Sequence, residues 1–131
     1  MINWFKNLDW EDLARINQIF CEKGNAQYGF SESQGPKFKK LWEEKSQKPM
    51  SFWDMCELCR KLHEGAPFFN FNGNTFAAVA SEASLQMNYP NQFILEDAIC
   101  NAIAGSLSPG YEKNLKTISE HFEKQTQNIE F

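Results

Sequence analysis

Apolar side chains recur at helical spacing in six stretches of the chain, and glycine, proline or polar residues separate these stretches. In the first stretch Leu13, Ile16 and Phe20 lie three or four residues apart, which places them on one face of a helix. No unit of roughly 20 to 50 residues repeats, so the pattern does not indicate a solenoid. We therefore predict an all-α fold, a compact irregular bundle of about six helices.

Capping residues mark the ends of these helices. Asp9, followed three residues later by Asp12, makes an imperfect capping box before the first helix, and Gly24 ends it. Pro36 suits the first position of the second helix. We predict that the second helix ends at Lys48-Pro49 and that a third helix runs from the Ser51 cap to about Glu64. The fifth helix is predicted from about Gln92 to Ser106, and the last one begins at Ser108-Pro109.

Residues 68–76, FFNFNGNTF, allow two interpretations. Asn72-Gly73 between phenylalanines is a hairpin signal. The residues that follow favour a helix, with Phe76 and Ala80 on one face. We predict an aromatic loop followed by a helix that begins near Asn74, and a short two-stranded β-ribbon is the alternative.

The composition suits one domain over residues 1–131. Hydrophobic residues make up 42% of the chain and aromatic residues 15%, enough for a core without a metal ion or disulfide bond. The first residues lack the apolar stretch of a secretion signal, and no segment reaches the ~18 apolar residues of a membrane span. The cysteines at 21, 56, 59 and 100 are then expected to be free thiols in a reducing compartment. The expected location is the cytoplasm, without membrane association.

Charge is distributed unevenly along the chain. The net charge of −4 argues against nucleic-acid binding and suits a basic partner. Between Lys61 and Lys113 there is no Lys or Arg, and the charged residues there are acidic: Glu64, Glu82, Glu96, Asp97 and Glu112. The second helix is instead rich in lysine: Lys37, Lys39, Lys40, Lys45 and Lys48, offset by Glu43 and Glu44. We predict an acidic side and a basic patch.

Candidate chemistry is sparse. Cys56, Cys59 and His63 fall on one helical face, where a zinc site would need a fourth ligand and a redox site would need a thiol at the helix N-terminus. Because cysteine is so often buried, core packing is the favoured interpretation and a metal or thiol site the alternative. His63 and His121 lie in no catalytic motif, and no glycine-rich phosphate loop is present. We expect neither an enzyme nor a bound cofactor.

The aromatic loop is the remaining candidate. Phe68, Phe69 and Phe71 either cover one end of the core or line a groove that takes a partner.

The chain resembles, as a profile over its whole length, the small immunity proteins that neutralise bacterial toxins. The shared features are small size, net acidity, free cysteines, an aromatic-rich helical sequence and a lack of catalytic motifs. The resemblance implies a protein that occludes a basic, nuclease-type toxin domain through an acidic surface. The expected partner-binding residues are the acids Glu82, Glu96, Asp97 and Glu112, with Glu64 at the margin, and Phe68, Phe69 and Phe71. We expect the chain to be a monomer or a weak homo-oligomer. Two alternatives remain: a structural or adaptor module that self-associates, and a metal or thiol protein built on Cys56, Cys59 and His63.

Overall fold

A computed structural model describes residues 1–105 and 109–129, with side chains for residues 1–105 and 112–124. Its helices are α1 (Trp10–Lys23), α2 (Gln34–Lys45), α3 (Phe52–Gly65), α4 (Asn72–Leu85), α5 (Gln92–Ala104) and α6 (Pro109–Ile129). Within the described residues, β pairing is limited to two isolated antiparallel bridges, Ile2 with Met50 and Phe30 with Phe68. The all-α prediction is confirmed. The predicted boundaries at Ser106 and Ser108 lie outside the described residues.

Side-chain caps fix three of the predicted helix starts. The capping box of α1 is complete, because the Asp12 N–H donates to Asp9 Oδ1 (2.9 Å) and the Asp9 N–H donates to Asp12 Oδ2 (3.0 Å). Ser51 Oγ accepts a hydrogen bond from the N–H of Asp54, the third residue of α3, and Asn91 Oδ1 accepts one from the N–H of Ile94, the third residue of α5. The starts of α1, α3 and α5 therefore follow from local sequence.

Two helices differ from their predicted bounds. Helix α2 begins two residues before Pro36 and ends at Lys45, and α4 begins at Asn72 instead of Asn74. The amide of Asn72 explains the start of α4: its Oδ1 accepts from the Phe68 N–H (3.0 Å) and its Nδ2 donates to the Phe68 carbonyl (2.9 Å). These bonds hold the turn before α4, so Asn72-Gly73 belongs to a helix and the alternative ribbon does not form.

Helix α3 occupies the centre of the bundle. It packs against α2, α4, α5 and α6, whereas α5 packs against α3, α4 and α6, and α1 packs against α2 and α4. The buried side of α3 consists of Phe52, Met55, Cys56, Cys59 and Leu62.

The segment before α1 contributes to the core through aromatic side chains. Trp4 is buried, its indole N–H donates to the Met50 carbonyl (2.9 Å), and its ring meets Phe122 edge-on with centroids 5.1 Å apart. Phe5 lies against Trp42 at 4.8 Å. The aromatic content of the sequence therefore supplies much of the core.

Candidate functional site

The three phenylalanines of the aromatic loop have different environments. Phe68 is 2% exposed and stacks on Trp10, with centroids 5.5 Å apart. Phe68 presents no surface to a partner, so it is not a partner-binding residue. Its role is to cover one end of the core. Phe71 is half-buried and stacks on Phe20. Phe69 is 51% exposed and is the member of the loop that a partner could reach.

Phe69 is held in place by the backbone around it. Its N–H donates to the Gly29 carbonyl (3.0 Å), and its ring lies so close to Gly29 that a Cβ at that position would collide with it. One residue later, the Asn70 carbonyl accepts a hydrogen bond from Asn17 Nδ2 (2.7 Å), which also donates to Thr75 Oγ1 (3.0 Å). The loop is therefore fixed before any partner arrives.

Asn17 is a residue that the sequence analysis missed. It is fully buried, and its amide joins α1 to the aromatic loop and to α4. A signal was present: Asn17 lies four residues from both Leu13 and Cys21, which are buried on the same side of α1. A polar side chain on an apolar stripe indicates a buried hydrogen-bonding role.

An open cavity of about 700 Å³ lies between the aromatic loop, the start of α4 and the end of α5. Its lining includes Phe69, Phe71, His63, Asn74 and Cys100. The structure thus brings together two of the predicted loop aromatics, the predicted histidine and the cysteine of α5.

His63 and Arg60 bind the carboxyl end of α5. His63 Nδ1 lies 2.7 Å from the Ile103 carbonyl, and because a carbonyl oxygen only accepts, Nδ1 carries the hydrogen. Arg60 Nη1 donates to the carbonyls of Ala102 (2.8 Å) and Gly105 (3.3 Å). These contacts satisfy carbonyl groups that have no partner within the helix, so His63 has a structural role.

Cys56 and Cys59 lie in the core, where they are 4% and 0% exposed. Burial raises the pKa of both thiols well above the ordinary value, with smaller contributions from Glu57 at Cys56 and from Cys56 at Cys59. A buried thiol that stays protonated is a poor nucleophile. Among the side chains that the structure describes, no group of three or more His, Cys, Asp and Glu residues could hold a metal ion. The structure therefore favours core packing for this motif.

The five acids of the predicted acidic side lie on four helices, α3 to α6. Glu64 pairs with Arg60 (2.9 Å) near the carboxyl end of α5, and the exposed Glu112 lies on α6 beside Lys113. Glu82 is exposed on α4, while Glu96 and Asp97 are neighbours on the exposed side of α5. Of these five acids, only Glu96 and Asp97 share a helix, where they are adjacent.

Phe93 and Ile94 are exposed apolar residues that the sequence analysis did not single out. Phe93 is 87% exposed and Ile94 43% exposed, both in the first turn of α5. Phe93 precedes the buried Leu95 by two residues, about 200° around the helix, so its outward position was readable from the spacing. Five exposed residues of α5 define a surface that we call the α5 face: Phe93, Ile94, Glu96, Asp97 and Cys100.

The α5 face extends toward the cavity. One stripe along α5 contains residues 93, 97, 100 and 104, because spacings of three and four residues place side chains on the same side of a helix. The last two, Cys100 and Ala104, line the cavity. Burial raises the pKa of Cys100, and the charges of Glu96 and Asp97 raise it further, so these carboxylates act on the cavity rim.

No protein-family model, curated protein or solved structure matches this chain. In the described parts of the chain, no helix combines the length and apolar character that a membrane crossing requires.

Proposed function

We propose that this protein is a non-enzymatic binding protein that docks on a basic protein surface through the α5 face and occludes it. One observation carries the proposal: Phe93 is 87% exposed at a helix start whose next charged residues are Glu96 and Asp97. A contiguous apolar pair with an adjacent acidic pair is typical of an interface with an aromatic anchor and a charged rim.

The two kinds of side chain have different roles in this proposal. Burying the Phe93 ring against a partner contributes about 1.5–3 kcal/mol of binding free energy. The carboxylates accelerate the encounter with a positively charged surface and orient it. Helices α4 and α5 contain Glu82, Glu96 and Asp97 and no Lys or Arg, so no cation within these helices cancels their field.

Phe69 supplies a second anchor at the other end of this surface. Its ring is half exposed at the cavity rim, and the hydrogen bonds of Asn17 and Gly29 fix the loop that carries it. A rigid aromatic side chain loses little conformational entropy on binding, which favours affinity.

The biological role that we propose is inhibition of a toxin by an immunity protein in the bacterial cytoplasm. The support is the net charge of −4, the four free thiols and the acidic α5 face, which suit a basic, nuclease-type toxin domain. The inhibitor would act by covering the toxin's cleft and needs no cofactor.

The polypeptide encoded immediately upstream of this gene is the probe for the first test. It is expressed in bacteria alone, with the wild-type chain, and with the Phe93→Ala variant. The proposal expects growth arrest by the upstream product alone, full protection by the wild-type chain and weakened protection by Phe93→Ala. If the upstream product is harmless, or if it is toxic and the wild-type chain does not protect, the immunity role is wrong.

A charge-reversal pair tests the acidic component with the same two proteins in vitro. Glu96→Lys with Asp97→Lys should lower the association rate constant about tenfold or more at low salt, and wild-type association should slow as salt is added. The matched control, Glu22→Lys with Glu44→Lys, makes the same change in net charge at exposed sites on α1 and α2. Equal effects of the two double variants would contradict steering by the α5 face.

A further inference from the structure

A second groove lies between α2 and α3, on residues that the proposed function does not use. It has a volume of about 490 Å³. Its lining combines the apolar side chains of Leu41, Met50 and Leu58 with the lysines Lys45, Lys48 and Lys61. An apolar floor with cationic side chains at its rim fits an apolar anchor accompanied by carboxylates.

The lysines of this groove are free to meet an anion. Among the residues that the structure describes, none of the three takes part in an ion pair. Asp54 and Glu57 also line the groove, but Glu57 already accepts a hydrogen bond from the Trp53 indole N–H (2.7 Å). The rim therefore has a net positive charge, three lysines against two acids.

The α5 face has the complementary composition. Phe93 and Ile94 are the exposed apolar side chains, and Glu96 and Asp97 follow them without a nearby lysine or arginine in the sequence. Both halves of a complementary interface are thus present on one chain.

We propose that the start of α5 of a second copy docks in the groove between α2 and α3. Phe93 of one copy occupies the apolar floor formed by Leu41 and Leu58 of the other. Glu96 and Asp97 then lie against the lysines at the rim. If the chain does not self-associate, the groove is expected to bind an acidic, apolar segment of another protein instead.

This contact is head-to-tail, because two different surfaces meet. Each pair keeps one free groove and one free α5 face, so assembly continues as concentration rises unless a ring closes. The inference does not rest on the proposed function, since it concerns the chain without any partner. If both are right, self-association and partner binding compete for Phe93.

Sedimentation of the wild-type chain over a concentration series, at low and high salt, is the first test. The weight-average mass should rise with concentration and fall as salt is added. Phe93→Ala should weaken self-association about tenfold to hundredfold. Lys45→Glu with Lys61→Glu should abolish it, whereas the control Lys40→Glu with Lys116→Glu, at exposed sites outside the groove, should not.

Mixing two variants gives the sharper test. Phe93→Ala keeps an intact groove, and Lys45→Glu with Lys61→Glu keeps an intact α5 face. Each should be monomeric alone, and an equimolar mixture should form a one-to-one pair that does not extend. Circular dichroism and unfolding curves should match those of the wild-type chain, since all three side chains are exposed.

Three results would overturn the inference. A wild-type chain that stays monomeric to about 1 mM lacks the interface. Self-association that survives the groove variant uses another surface. A mixture of the two variants that forms no pair shows that Phe93 and the groove lysines do not meet.

Discussion

Helices α3 and α5 begin in the same way, yet their first turns have opposite exposures. Each has an N-cap side chain that accepts a hydrogen bond from the helix, Ser51 at 3.1 Å and Asn91 at 3.2 Å. Each carries a phenylalanine in its first turn, but Phe52 is 1% exposed and Phe93 87% exposed. Local sequence therefore determines where these helices start, and tertiary contacts determine which ring is buried.

The contacts of Phe52 show what the first turn of α5 lacks. Phe52 meets Trp4 at 5.8 Å and Phe122 at 5.3 Å between ring centroids. Within the described residues, no aromatic ring packs against Phe93. The Phe52 ring contributes to folding, whereas the Phe93 ring is available for binding.

Truncating the two rings should give the largest difference. Phe52→Ala should lower the free energy of unfolding by about 3–5 kcal/mol, because it leaves a cavity in the core. Phe93→Ala should change it by less than about 0.5 kcal/mol, since the ring is already in water. Chemical denaturation of both variants measures the contrast, and similar losses would show that Phe93 is packed in the folded chain.

The carboxyl end of α5 should be sensitive to one side chain of α3. Arg60→Ala should cost about 1–3 kcal/mol of unfolding free energy, because the carbonyls of Ala102 and Gly105 lose a charged donor. Lys61→Ala is the control, since Lys61 is exposed and adjacent in sequence. Equal stability of the two variants would mean that water replaces the guanidinium without cost.

The two caps should behave alike despite the different exposure of the turns that follow. Ser51→Ala and Asn91→Ala should each lower the unfolding free energy by about 1 kcal/mol, because each removes one bond to an otherwise unpaired helix N–H. Thermal unfolding under identical conditions compares them. A large effect at Ser51 alone would indicate that the caps depend on the surrounding core.

The smallest effect concerns the thiols. Cys100 is exposed, whereas Cys21, Cys56 and Cys59 are buried, so one thiol should react with a colorimetric disulfide reagent before unfolding and four after it. Burial raises the pKa of Cys100 and the charges of Glu96 and Asp97 add to the shift, so the thiolate fraction and the reaction rate increase as pH rises. Replacing both acids with lysine should speed the reaction at neutral pH. An unchanged reaction rate would show that the charges of Glu96 and Asp97 do not act on the Cys100 thiol.

Much of the fold followed from local sequence because caps and apolar spacing are local features. Asp9, Ser51 and Asn91 mark helix starts within a residue of the observed positions. The start of α4 was missed because Asn72 bonds the backbone of Phe68, and the hairpin signal concealed that role.

The candidate site was less predictable because it depends on contacts between distant segments. Phe68 and Phe69 are adjacent in the sequence, but Trp10 stacks on Phe68, which is buried, and Phe69 is exposed. Glu64 belongs to the same lysine-free segment as Glu96, but Arg60 pairs with it. Charge along a sequence does not show which carboxylates share a surface.

The affinity of the Phe93→Ala variant for the upstream gene product, measured by titration calorimetry beside the wild-type chain, tests the central claim most directly. The account predicts a dissociation constant about tenfold to hundredfold higher for Phe93→Ala, with the unfolding free energy unchanged. An affinity equal to that of the wild-type chain would show that the partner does not use the α5 face.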